Sequence, residues 1–114
     1  MPEAPSFALR LADRVGQVCD PVAVLLFGSW AKGTGDVHSD VDLVVVLRDR
    51  PTPALRAALV DAVRAVPMQV DLLLWTPQDL VDARADPHGF AGSVLSGAIV
   101  LLGGLPQALQ GSSV

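Results

Sequence analysis

Val22-Ala23-Val24-Leu25-Leu26-Phe27-Gly28-Ser29 and, ten residues on, Asp40-Val41-Asp42-Leu43-Val44-Val45-Val46-Leu47 decide the reading of this chain. Each half is a continuous apolar run bounded by turn residues, which predicts strands covered on both faces. The first run stops at Gly28-Ser29, where a turn and a short helix are expected. Gly33-Thr34-Gly35-Asp36 then makes a second turn-rich stretch ahead of the next strand.

Working outward, Phe7, Leu11, Val15 and Val18 recur at helical spacing and predict an amphipathic helix that ends near Cys19, before Pro21. Downstream, Thr52 and Pro53 stand where an N-cap and first-turn proline belong, and Leu55, Ala58, Leu59, Ala62, Val63 and Val66 follow with the helical period. Residues 68–75 read as a third strand. Thr76-Pro77-Gln78-Asp79 repeats the cap-and-proline device, with an acid at the third helical position, for a helix reaching about Ala85. Asp86-Pro87 punctuates it, Phe90, Val94 and Leu95 predict another short helix, and residues 98–102 a last strand. The order predicts an α/β fold with helices packed on a central sheet. Residues 1–103 read as one domain and 104–114 as a C-terminal tail.

At 114 residues the chain has enough length for one real core and not for a second, substrate-holding domain. Apolar residues make up 51% and charged residues 18%, which excludes a disordered chain and allows an apolar surface for a partner. The net charge of −4, with scattered basic residues, argues against direct nucleic-acid binding, which needs a concentrated positive surface. Cys19 is the only cysteine, so neither an internal disulfide nor a cysteine-based zinc site can form. With no signal-like start and no apolar run of membrane-spanning length, a cytoplasmic protein without membrane contact is expected.

Asp40 and Asp42 flank Val41 at a strand start, so the alternation of strand side chains sends both carboxylates to one face. Two such charges repel unless a cation lies between them, and Mg²⁺, with its preference for hard oxygen ligands, is the natural candidate. Asp71 holds the matching place in the next strand, after Val70 and before Leu72-Leu73-Leu74-Trp75, and reads as a third buried acid. If the two strands are neighbours, it can serve as a further metal ligand or as the general base; three acids on one face suit a two-metal site. Gly28-Ser29, between a strand and an expected helix, offers N–H groups and a hydroxyl to a phosphate. Lys32, the only lysine, lies about one helical turn beyond Ser29 and can add a point charge toward a triphosphate.

Gly28-Ser29, ten residues, Asp40-Val41-Asp42 and then Val70-Asp71-Leu72 together resemble the signature of the polymerase β-like nucleotidyltransferase superfamily. The Leu26-Phe27 lead-in and the late 94–102 segment look like its minimal nucleotidyltransferases, over roughly residues 7–102. That resemblance implies the superfamily's fold, with a central mixed sheet of about four strands. It also implies transfer of AMP from ATP to a hydroxyl, with Mg²⁺ held by Asp40 and Asp42 and assisted by Asp71. Minimal members often accompany a HEPN-type ribonuclease toxin as its antitoxin, some by AMPylating the toxin, so a HEPN/MNT toxin-antitoxin pair is the implied setting. The chain departs from the family at Trp30 and Lys32, where arginine is common.

Other residues carry plainer readings. His38 and His88 read as loop surface, Asp36 as a turn former, Cys19 as a small packing residue and Trp75 as core. Two other functions fit the same residues. One is a non-catalytic antitoxin that neutralises its partner by covering it; the other is an enzyme acting on a small-molecule hydroxyl, for which a homo-oligomer would have to build the acceptor pocket.

Overall fold

The computed structural model describes residues 4–36, 38–86, 88–89, 92 and 97–103. Its elements run α1 (Ser6–Val18), β1 (Ala23–Phe27), β2 (Val41–Val46), α2 (Pro53–Ala62), a 3₁₀ turn (Val63–Ala65), β3 (Val70–Trp75), α3 (Pro77–Ala85) and β4 (Ile99–Gly103). The four strands form one mixed sheet in the order β3-β2-β1-β4. β1 is antiparallel to both its neighbours, whereas β2 and β3 run parallel, joined through α2.

The central strands earn their place by composition. In β1 and β2 every residue is buried except Phe27 and Asp42, which are half-buried, as expected for strands covered on both sides. Alternation divides them between two cores. Val24, Leu26, Val41, Leu43 and Val45 pack with Ala8, Leu11, Ala12 and Val15 of α1 and Leu59 of α2. Ala23, Leu25, Val44 and Val46 form the opposite core with Leu80 of α3. The outer strands differ from the central pair: β3 and β4 are only half-buried or exposed along their length, because among the described residues each has a neighbouring strand on one side only.

Both predicted helix starts are formed as read. The Thr52 hydroxyl accepts from the Leu55 N–H at 3.1 Å. Thr76 and Asp79 make a reciprocal capping box, with the Asp79 carboxylate accepting from the Thr76 N–H at 2.8 Å. The second helix is shorter than its apolar period, which runs to Val66: α2 stops at Ala62, tightens into a 3₁₀ turn, and Val66 is extended (φ −109°, ψ 152°). Pro67 is the cause, since a residue before proline is driven out of the helical region. No helix forms after Gly28-Ser29 either; residues 29–33 are turns. Gly33 (φ +79°) closes them after little more than one helical revolution. Of the predicted short helix around residues 90–95 only Gly92 is described, helical and buried, and the tail 104–114 lies outside the described residues.

Candidate active site

The sheet register lays Phe27, Asp42 and Asp71 in one row, Phe27 opposite Asp42 in the antiparallel ladder and Asp42 beside Asp71 in the parallel one. Side chains at paired positions project to the same side. That side is the one occupied further along by Val44 and Val46, Leu73 and Trp75, where α3 contributes the buried Leu80. The acids stand at the N-terminal ends of β2 and β3, ahead of this apolar cover. Asp42 is half-buried; Asp71 is exposed, not buried as its apolar flanks predict, because β3 is an edge strand. Asp40 precedes β2 and is also exposed.

The electrostatics follow from this placement. Burial pushes the Asp42 carboxyl above the ordinary aspartate range, the charge of Asp71 and a hydrogen bond to its carboxyl push it further, and the charge of Asp40 adds the least. A proton or a cation between the two carboxyls relieves the repulsion. Mg²⁺ is commonly held by one or two carboxylates, with waters and substrate phosphates completing its octahedron, so the Asp42–Asp71 pair fits such an ion. Among the described residues no three potential ligand side chains already close around one point. Asp42 and Asp71 are brought together, while Asp40 stands at the approach to them.

Gly28 closes the row on the β1 side. Its φ is +76°, and a Cβ there would overlap the Asp42 carboxylate, so the bare backbone is what lets the turn lie against the acid. Beyond it the Lys32 N–H donates to the Gly28 carbonyl at 3.2 Å, and the Thr34 N–H to the Ser29 carbonyl at 2.9 Å. Lys32 is the first residue to reach a carbonyl four positions back. The N–H groups just ahead of it therefore have no acceptor within the turn, as at a helix start, although no helix continues. The Lys32 side chain is exposed on the same turn.

The limb between this turn and Asp40 is ordered by Asp36, which forms the turn predicted for it. Its carboxylate accepts from the His38 N–H at 2.9 Å and from the Ser39 hydroxyl at 3.3 Å. His38 is exposed, and the half-buried Cys19 thiol donates to the Val15 carbonyl at 3.5 Å, in keeping with their plain readings. Two neighbours of the site take contacts that the sequence does not specify. Phe27 joins the acid row only through the strand register, and Trp30 packs edge-to-face on Phe7 with ring centres 4.9 Å apart, a contact between residues far apart in the chain. A groove of about 330 Å³ lies further along the same face, lined by Leu73, Trp75, Asp79, Asp82 and Ala83 among others; Asp71 is not part of it.

A mixed sheet presenting in-register aspartates beside a glycine-serine turn is the architecture of a nucleotidyl-transferring domain. The chain belongs to the "Polymerase beta, Nucleotidyltransferase" family, which it matches over residues 12–104. Two Methanocaldococcus jannaschii proteins, each named "Putative protein adenylyltransferase", are 31% identical to it. The similarity covers 67 residues, 54% of this chain and 46% of the relative, in one case. In the other it covers 51 residues, 45% of this chain and 52% of the relative. The chain thus spans about half the length of these relatives. A solved structure described as a toxin-antitoxin with AMP-PNP contains a chain with the same fold, at TM-score 0.59 and 20% identity over 90% of this chain and 84% of that one. The family resemblance read from Gly28-Ser29 through Asp71 is borne out: this is a polymerase β-like nucleotidyltransferase domain. Among the described residues no helix is long and apolar enough to cross a membrane.

Proposed function

We propose that this domain transfers AMP from ATP to a hydroxyl on a protein partner, and that the partner is a HEPN-type toxin for which the domain is the antitoxin. The observation that carries the chemistry is the in-register pairing of Asp42 with Asp71 against the Gly28-Ser29 turn. The names of the two archaeal relatives support the reaction class, and the toxin-antitoxin neighbour with its nucleotide analogue supports the setting.

In this reading the triphosphate lies on the leading N–H groups and the hydroxyl of the Gly28-Ser29 turn, with the exposed Lys32 ammonium beside it. Asp42 and Asp71 hold the metal, and Asp40 lends charge at its approach. Bound Mg²⁺ supplies neutralisation of the phosphate charge. The acceptor hydroxyl forms a bond to the α-phosphorus, its proton passes to a carboxylate, and the bond to the leaving pyrophosphate breaks. Asp71, exposed on the edge strand, is the carboxylate an incoming hydroxyl can reach. Positioning and charge neutralisation suffice, without a covalent enzyme intermediate.

The test is incubation with labelled ATP, Mg²⁺ and the product of the neighbouring gene. Label should appear on that product and vanish with Asp42→Asn. Absence of transfer by the wild-type domain would end the catalytic reading. If the Asp42→Asn protein still protected cells from the partner, occlusion alone would be the function.

A further inference from the structure

Residues 28–40 connect the two central strands, and both ends of this connection belong to the site: the Gly28-Ser29 turn leaves β1, and Asp40 leads into β2. Each limb is ordered by its own local hydrogen bonds. Lys32 and Thr34 bond back to Gly28 and Ser29, and Thr34 also sends its hydroxyl to the Ser29 carbonyl at 3.3 Å. Ser39 and Asp36 bond to each other, through the Ser39 N–H at 2.9 Å and through the Asp36 N–H to the Ser39 hydroxyl at 3.1 Å. None of these bonds joins one limb to the other.

Trp30 does join them. Its indole Nε1–H donates to the Ser39 carbonyl, nine residues on, at 3.4 Å. Its ring lies so close over Gly35 that a Cβ there would overlap it, and its other contact is the edge-to-face packing on Phe7, at an interplanar angle of 81°. Phe7 belongs to α1, whose Ala8 and Leu11 are fully buried, so the indole also ties the connection to the rigid part of the molecule. A tryptophan is large enough to make all three contacts at once, and the ring N–H reaches the backbone next to Asp40.

We propose that Trp30 is a positioning residue that clamps the Gly28-Ser29 turn to the segment carrying Asp40, so that the phosphate-binding turn and the acids keep one relative geometry. The inference deepens the nucleotide-binding reading and rests on it for its functional half. Its structural half stands on the hydrogen bond and ring packing alone. The residue adds no charge toward the phosphates; it lowers the conformational freedom that the connection would lose when a nucleotide binds.

The test compares Trp30→Phe, which keeps an aromatic ring against Phe7 and loses the N–H, with Trp30→Ala, which loses both. Amide hydrogen exchange in the nucleotide-free protein reads the structural half. In Trp30→Phe, exchange should quicken about two- to tenfold over residues 36–41, the equilibrium effect of one net hydrogen bond, with α1 and β2 beyond Asp42 unchanged. Trp30→Ala should quicken it further. Titration with Mg²⁺·ATP reads the functional half: the dissociation constant should rise by a similar factor in Trp30→Phe and more in Trp30→Ala. Unchanged exchange over residues 36–41 in Trp30→Phe would overturn the clamp. Altered exchange combined with wild-type affinity for Mg²⁺·ATP would overturn the positioning role. If the wild-type protein failed to bind Mg²⁺·ATP while the exchange effect held, the nucleotide reading would fall and the clamp would stand as a purely structural tie.

Discussion

Gly28 and Gly33 provide a matched pair of perturbations. Their φ values are almost the same, +76° and +79°, but a Cβ on Gly33 would meet nothing within 4 Å, whereas one on Gly28 would overlap the Asp42 carboxylate and approach its Cγ to 3.3 Å. Substituting alanine at either position imposes the left-handed backbone on a residue with a side chain, at about 1–2 kcal/mol. The loss of unfolded-state freedom offsets roughly 0.4–1 kcal/mol of that in both variants. Gly33→Ala should therefore cost about 1 kcal/mol, roughly 4–8 °C in Tm for a domain near this size. Gly28→Ala carries in addition the displacement of a half-buried carboxylate, comparable to overpacking at about 1–3 kcal/mol.

The assay is a double-mutant cycle by thermal or urea unfolding, with Gly28→Ala, Asp42→Ala and the double variant, and Gly33→Ala as the control. Truncating Asp42 removes the atoms that collide, so the double variant should be more stable than additivity predicts by at least about 1 kcal/mol. Mg²⁺·ATP binding should be lost in Gly28→Ala and kept in Gly33→Ala. Equal destabilisation by the two glycine substitutions, with an additive cycle, would refute the claim that Gly28 is bare in order to admit Asp42.

Further outcomes follow from the same geometry. Because the native Asp42 carboxyl titrates above its unfolded-state value, the folded protein holds its proton more tightly. Metal-free stability should then fall as pH rises through the native value, with the full penalty present above it. Asp42→Asn should accordingly raise the Tm near pH 7 in the presence of EDTA and flatten the acid-side pH dependence, while Mg²⁺ should stabilise the wild-type protein more than the variant; melts from the ordinary aspartate range up to neutral pH, with and without Mg²⁺, check both, and a lowered Tm at neutral pH would contradict the assigned repulsion. Thr76→Ala, which dismantles the capping box of α3, should cost about 1 kcal/mol by urea unfolding. Leu43→Ala, in the fully buried centre of β2, should cost about 2–5 kcal/mol and lower the urea midpoint without changing the acid row's register, checked by amide shifts of Asp42 and Asp71. Burial, seconded by the charge of Asp20, raises the Cys19 thiol, so its alkylation at pH 7.5 should be slower than that of free cysteine until the protein is unfolded.

Local signals in the sequence matched local structure wherever the deciding interaction spans a few residues. Thr52 and Thr76 were legible as caps because an N-cap needs only a hydroxyl and a helix start within three positions. The two central strands were legible because burial on both faces leaves an uninterrupted apolar run. The pairing of Asp42 with Asp71 could only be inferred conditionally from the sequence, since it needs β2 and β3 to be neighbours in a particular register. What misled was the same apolar surround: Val70 and Leu72 made Asp71 look buried, but flanking residues say nothing about whether a further strand covers the edge, and here none does among the described residues. The helix expected after Ser29 failed for a reason the sequence does contain. Gly33 and Gly35 stand close enough to the turn to end it, and the chain there follows the backbone freedom of glycine and not the pattern of its neighbours. Trp30 lies at the far limit of local reasoning. Its partners are Phe7, Gly35 and Ser39, and only folding α1 against the sheet brings the first of them to the others, so a residue that read as a missing charge is in the structure a support for the connection between the two ends of the site.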